Sequence, residues 1–247
     1  MTEANPASRA PLDAAAVAVW DVPTRLFHWS LVSGLLSAWP SYQYAEQLGD
    51  PTMKWHRYNG MFILVLLVFR VIWGFIGSST ARWSHFLRWP WSAAAYALDV
   101  ARGRDRKFLG HNPLGTYMIL AMLAAVCGQV FLGLVIVEHN ETTWGPLYQL
   151  VPETLQKTLR RWHGMGLYWV ILPLLAAHII ANTLYGLLKR DPLIRAMVTG
   201  RKPAADYEDG AAAVIARDVT LRAAGALVLA LAIVGGGIKL LGGTLFY

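Results

Sequence analysis

The stretch from Arg160 to Lys189 constrains this chain most. From Leu167 to Leu188 it carries no Asp, Glu, Lys or Arg. As one helix it is long enough to cross a hydrocarbon layer of about 30 Å. Two histidines sit in it, His163 and His178. On a straight α-helix they stand about 22 Å apart and about 60° past four whole turns, so both rings leave one broad face. A lone imidazole in a membrane helix is as often a hydrogen-bonding partner for its neighbour as a functional group. Two on one face, at opposite depths, point to two metal centres stacked across a bilayer, with haem the natural candidate because neutral imidazole is a common axial ligand.

The rest of the composition agrees with a membrane chain. Of 247 residues, 55% are apolar and 15% charged, against about 25% charged in a soluble domain. The formal charge of +7 would suit nucleic acid if it formed a patch. The basic residues instead flank the apolar runs, as membrane topology requires, so no nucleic-acid partner is expected. The single cysteine, Cys127, lies inside an apolar run. It excludes an intrachain disulfide and any cysteine-based zinc or iron–sulfur site, and reads as a small packing residue. Residues 1–18, rich in Ala, Pro and Ser, read as a mobile tail without the apolar core of a cleavable signal.

Five spans follow in order. The first, about 24–44, carries His28 in its opening turns. The second, about 53–76, opens on Lys54-Trp55-His56, echoing Arg161-Trp162-His163, and holds Arg70 deep in its apolar run. The third, about 114–137, follows Gly110-His111-Asn112-Pro113, where Pro113 keeps His111 outside regular helix. The fourth is the opening stretch, about 163–188. A fifth, within 220–247, is built of small and aliphatic residues and has no histidine. It reads either as a helix packed on its own bundle or as a docking helix for a second subunit. The connection 78–113 is strongly basic and contains a short interfacial helix near Ala93–Arg102 flanked by Trp89 and Trp91; the connection 190–219 is basic too. The positive-inside rule then places the N-terminus and both basic connections in the cytoplasm and the C-terminus outside.

Topology alone now pairs the histidines by depth. His28 and His178 share the cytoplasmic side, and His56 and His163 the outer side. Two bis-histidine haems in a bundle core need this arrangement, and six-coordinate iron favours electron transfer over oxygen binding. His85, His111 and His139 lie outside the spans, with His111 the strongest rival to His28. Haem propionates need cations. Lys54 and Arg161 are the candidates on the outer side, Arg25 and Arg70 on the inner, and each is equally an ordinary interfacial anchor. Quinone chemistry moves protons, and His111, Asn112 and Tyr117 are the polar candidates beside the inner pair; His111 and Asn112 also suit simple capping of the third helix.

The segments P-T-R-L-F-H-W (23–29), W-H-R-Y-N-G (55–60), F-R-V-I-W-G-F-I-G (69–77), G-H-N-P-L-G (110–115) and L-I-R-A-M-V-T-G-R-K (193–202) resemble the bacterial cytochrome b561 family. The similarity runs over about residues 19–202, closest to the branch that serves nickel–iron hydrogenases as cytochrome b subunit. The resemblance implies a bacterial inner-membrane protein with a four-helix core and two b haems. The first and second helices give one ligand each and the fourth gives two, matching His28, His56, His163 and His178. It also implies quinone as electron partner.

The expected fold is therefore an all-α membrane protein: a four-helix transmembrane haem-binding bundle (19–189) plus a fifth C-terminal transmembrane helix. The expected function is electron transfer between an outer-face redox protein, hydrogenase-like or a c-type cytochrome, and membrane quinone. Two alternatives stand beside it. One is a stand-alone oxidoreductase acting on a small outer-face substrate such as superoxide; the other is a non-redox anchor whose histidines only pack helices.

Overall fold

The computed structural model of the chain describes residues 16–104, 106–138, 143–209 and 213–245; residues 1–15 of the expected tail and His139 lie outside them. Strand β1 (Ala16–Ala18) is followed by α1 (Val22–Gln43), α2 (Lys54–Ile76), the single turn α3 (Trp83–Phe86), α4 (Pro90–Ala101) and α5 (Pro113–Val135). Then come α6 (Glu153–Gly166), a π-helical turn (Leu167–Ile171) and α7 (Leu172–Leu188), which form one long rod. The described chain closes with α8 (Leu193–Thr199), strand β2 (Arg201–Pro203) and α9 (Val219–Leu240). Four of these rods, α2, α5, α6–α7 and α9, are long and apolar enough to span a membrane. Helix α1 has 22 residues, enough for a span by length, but is the least apolar of the five.

Local chemistry sets the helix starts. The Asp21 carboxylate accepts from Thr24 N at 2.8 Å, with Pro23 in the first turn of α1. Asp50 accepts from the amides of Lys54 (3.0 Å) and Trp55 (2.9 Å) at the head of α2. Asn112 accepts from Gly115 N at 2.8 Å, just before Pro113 opens α5. Each satisfies an amide that the helix itself leaves open.

Helix α2 is the centre of the bundle. Helix α1 runs back along it, locked by Trp73 Nε1 to Thr24 Oγ1 (3.2 Å) and Asn59 Nδ2 to the Gly34 carbonyl (2.8 Å). On a second side α9 meets it through Ala226, Ala230, Val234 and Ile238, four residues apart and all buried. Helix α5 takes a third side through Val126 and Val130, packed on Ile63 and Leu67. In lipid, helices gain little from hiding apolar surface from one another, so close approach of small side chains and interhelical hydrogen bonds must hold them. Ala226 and Ala230 of the fifth span thus serve packing on the chain's own bundle.

Four sequence expectations need correction. Ala16–Ala18 is not tail: it pairs antiparallel with Arg201–Pro203. Cys127 is exposed on α5, because that helix buries the stripe of Val126, Val130 and Leu134 one residue to the side. The fourth rod starts at Glu153, ten residues before the expected start at 163, because its first turns are amphipathic and opened by Pro152. The rod is also not straight α-helix. Pro173 has no N–H to return to Trp169, and the turn before it opens into π geometry, with Leu172 N bonded to the Leu167 carbonyl five residues back. One extra residue in that turn changes the offset between His163 and His178 from about 60° past four turns to about 40° short of them. The one-face conclusion survives with a different angle.

The end of the bundle where α1 begins is capped by the two connections, folded onto each other. Arg25 Nη1 donates to the Val198 carbonyl (2.6 Å) and Trp29 Nε1 to that of Met197 (3.2 Å), pinning α8. Gly200 ends α8 at φ +78°, where a Cβ would also press on the Trp20 carbonyl. Thr80 Oγ1 donates to the Val19 carbonyl. Asp209 accepts from the amides of Leu109 (2.5 Å) and Gly110 (2.9 Å) and faces His85 Nε2 at 3.5 Å. Beneath this cap Trp83 lies flat against Gly74, donating to the Val71 carbonyl at 3.1 Å, and covers the guanidinium of Arg70 at 4.4 Å from its ring centre.

Two tests follow from this packing. A Cβ on Gly74 would overlap the Trp83 indole, so Gly74→Ala should cost about 1–3 kcal/mol of stability despite the better helix propensity of alanine. Gly225→Ala, where nothing lies within 4 Å, should be neutral or slightly stabilising; thermal unfolding in detergent compares the two. Burial opposes ionisation of Asp209, but the His85 imidazole facing it and the hydrogen bonds from the two amides outweigh it and hold the carboxyl below its usual value of 3.8. A depressed carboxyl stabilises the fold fully above its unfolded value, and that contribution disappears as the pH falls through the folded one. Amide exchange at Leu109 and Gly110 should therefore accelerate selectively below pH 3.8, and should be fast at neutral pH in Asp209→Ala.

Candidate functional site

At the end of the bundle far from the cap, His56 and His163 face each other across α2 and α6, with ring centres 6.2 Å apart and planes at 89°. Neither ring is free to turn. His56 Nδ1 lies 2.8 Å from the Ala38 carbonyl of α1. His163 Nδ1 lies 3.0 Å from the Gln129 carbonyl of α5. A carbonyl only accepts, so each Nδ1 carries the proton and each Nε2 keeps its lone pair. The Gln129 side chain returns the contact, donating from Nε2 to the His163 carbonyl at 2.8 Å. Gly133 lets the ring in: a Cβ there would stand 3.1 Å from His163 Cε1. Around the pair, Tyr42 lies 5.9 Å from the His56 ring, and Trp39 Nε1 reaches Tyr168 OH at 3.1 Å, joining the end of α1 to the π turn.

At the capped end His28 and His178 lie near each other. The His28 ring stands edge-on to Trp29 at 5.0 Å, and its Nδ1 is enclosed without a hydrogen-bond partner. Asn182, one turn after His178, donates to the His178 carbonyl at 2.7 Å and lies 3.2 Å from its Nε2.

Both pairs can be tested as haem ligands. Two imidazoles on opposite sides of one metal ion, each bonded at about 2 Å, have ring centres about 6 Å apart, which is the spacing of His56 and His163. Among the described residues no three or more His, Cys, Asp or Glu converge on a metal-sized site. A two-histidine donor set leaves the remaining positions of an octahedral iron to a macrocycle, as in haem. The orphaned Nδ1 of His28 is a buried polar atom that a neighbouring acceptor or a ligand would satisfy. The residues present fit haem.

The other sequence candidates are dispersed. Arg25 is engaged by α8. Lys54 lies over the Trp55 ring at 5.3 Å, and Arg161 is exposed. Arg70 is buried between Trp83 and Phe86, with Nη1 unpartnered, and the structure brings it to His111 rather than to either histidine pair. His111 packs on Trp20 (4.6 Å) and Phe86 (5.0 Å). Burial, then the charges of Arg70 and Lys202, push its pKa down to about 3, so it is neutral at physiological pH. Asn112 is used as the α5 cap, and Tyr117 OH donates to the Arg88 carbonyl at 2.7 Å. Sequence reasoning missed Gln129, Gly133 and Asn182. A polar amide inside an apolar span was a usable signal for Gln129. The Ala38 carbonyl, a backbone group, gave none.

Comparison with known proteins gives the family. The model of the prokaryotic cytochrome b561 family matches residues 19–200. A probable Ni/Fe-hydrogenase B-type cytochrome subunit of Rhizobium leguminosarum bv. viciae is 24% identical over 78% of this chain and 92% of its own length. A protein of the same description from Bradyrhizobium diazoefficiens is 23% identical over 82% and 98%, and one from Azotobacter vinelandii 24% over 75% and 88%. With its apolar spans and paired histidines, this chain belongs to the prokaryotic cytochrome b561 family, multi-pass membrane b-type cytochromes of electron transfer.

Proposed function

We propose that the chain is a dihaem electron-transfer subunit of the bacterial inner membrane, with its N-terminus and cap in the cytoplasm and its C-terminus outside. His56 and His163 hold an outer haem b; His28 and His178 hold an inner one. Electrons pass between an outer-face redox protein, of the hydrogenase type named for the relatives or a c-type cytochrome, and quinone near the capped end. The observation that carries this reading is the His56–His163 pair at 6.2 Å, with both Nδ1 atoms tied to backbone carbonyls of other helices.

Haem would supply a one-electron iron couple, and the four histidines would hold it for electron exchange. The chain's own residues do the rest. The carbonyls of Ala38 and Gln129 fix the tautomer and direction of the outer imidazoles and raise their basicity. Because both partners are backbone atoms of packed helices, the ligands are pre-set rather than gathered. Asn182 restrains the His178 ring from one turn away. Of the three quinone candidates, Asn112 and Tyr117 already use polar groups in structural bonds, whereas His111 keeps a buried Nδ1 without a partner. His111 is therefore the residue we assign to quinone.

Pyridine haemochrome of purified protein should give two haem b per chain, with low-spin spectra in the intact protein. Gly133→Val should displace the His163 ring and halve the haem content, with the chain still folded by circular dichroism; unchanged content would contradict the outer site. His111→Phe should slow quinone turnover about tenfold or more, the scale of losing one proton-handling group, and leave both haem spectra intact. Unchanged turnover would move the quinone site elsewhere.

A further inference from the structure

A narrow cleft opens at the capped end, lined among others by Tyr96, Arg106, Lys107, Tyr185, Lys189 and Asp191. It lies where α4, the segment before α5 and the end of α7 come together. Its charges are unequally matched. Arg106 forks onto Glu208 at 2.7 Å from two nitrogens and reaches Asp99 at 3.0 Å. Asp191 is taken by Lys202 at 2.9 Å. The Lys189 ammonium has no such partner: its Nζ is enclosed and makes no hydrogen bond. Its contacts are ring faces, Tyr185 at 5.3 Å and Tyr96 at 5.4 Å.

Cation–π contact offsets part of the cost of that burial. It does not use the three N–H donors of the ammonium, and an enclosed charge without an acceptor is among the most unfavourable arrangements in a protein. An acceptor entering the cleft would remove the penalty. The Tyr185 hydroxyl donates to that of Tyr96 at 3.2 Å. Burial and then the Tyr185 hydroxyl hold the Tyr96 proton far above the ordinary range, so Tyr96 adds no negative charge to the cleft.

The position of the cleft points to the kind of anion. Leu187 and Leu188, immediately before Lys189, are 72% and 77% exposed, as lipid-facing residues are. Trp89 and Trp91, stacked at 5.0 Å and exposed at the head of α4, mark the interfacial belt. The ammonium therefore sits where acyl chains give way to headgroups. We propose that this cleft binds a phosphate group, that of an anionic phospholipid, on Lys189, with the acyl chains along Leu187 and Leu188. The proposal rests on the membrane fold and not on the number of haems or on quinone.

Full-length protein, relipidated with phosphatidylglycerol or phosphatidylcholine in mild detergent and then washed, can be examined by native mass spectrometry. The wild type should retain phosphatidylglycerol in preference to phosphatidylcholine. Lys189→Met and Lys189→Gln should each weaken retention about tenfold, as loss of one charge-assisted contact does, with haem spectra unchanged, and Lys189→Arg should restore it. Equal retention by the wild type and both neutral variants would overturn the site. Displacement of phosphatidylglycerol by millimolar inorganic phosphate would overturn the lipid as occupant in favour of a soluble phosphate. Loss of bound quinone from the neutral variants, with phospholipid unchanged, would also overturn it.

Discussion

The arrangement depends on imidazole Nδ1 atoms anchored to the backbone of a neighbouring helix. His56 bonds the Ala38 carbonyl and His163 the Gln129 carbonyl. Within lipid a polar hydrogen has no water to fall back on, so these bonds are held more firmly than their modest strength in water would suggest. They also fix register. The first ties α1 to α2, the second ties α5 to α6, and both leave the lone pair on Nε2. Gly133 and the π turn at Leu167–Ile171 serve the same geometry: one makes room for a ring, and the other sets the rotation between His163 and His178.

The two ends of the bundle are built differently. The far end is held by the histidine bonds and the Trp39–Tyr168 contact. The capped end is held by carboxylates placed on backbone amides and bases: Asp21, Asp209, and Glu208 on Arg106. That cap encloses Arg70 and His111, two polar groups with unpartnered nitrogens, in an aromatic box of Trp20, Trp83 and Phe86.

Much of this was legible in the sequence, for physical reasons. Uncharged runs of span length mark helices in lipid, and the basic connections mark one face. A histidine near the start of each of two oppositely directed helices, with two more on a third, yields the pairing by depth. What was not legible depends on contacts distant in sequence. The central place of α2 is set by which apolar faces meet, and one apolar helix reads much like another. The partner of each Nδ1 is a carbonyl, identical at every residue. Arg70 reads as a propionate partner from its depth, but Gly74 lets Trp83 cover it and turns it toward His111. The π turn was latent in Pro173, yet a proline alone does not say whether a helix will kink, break or widen.

The central claim is the assignment of four histidines to two pairs. Redox titration of the α-band in the purified wild type and in the four single variants His28→Ala, His56→Ala, His163→Ala and His178→Ala tests it most directly. Two components should titrate in the wild type. The same one should vanish in His56→Ala and His163→Ala, and the other in His28→Ala and His178→Ala. Loss of different components within either pair, or a variant that keeps both, would contradict the account.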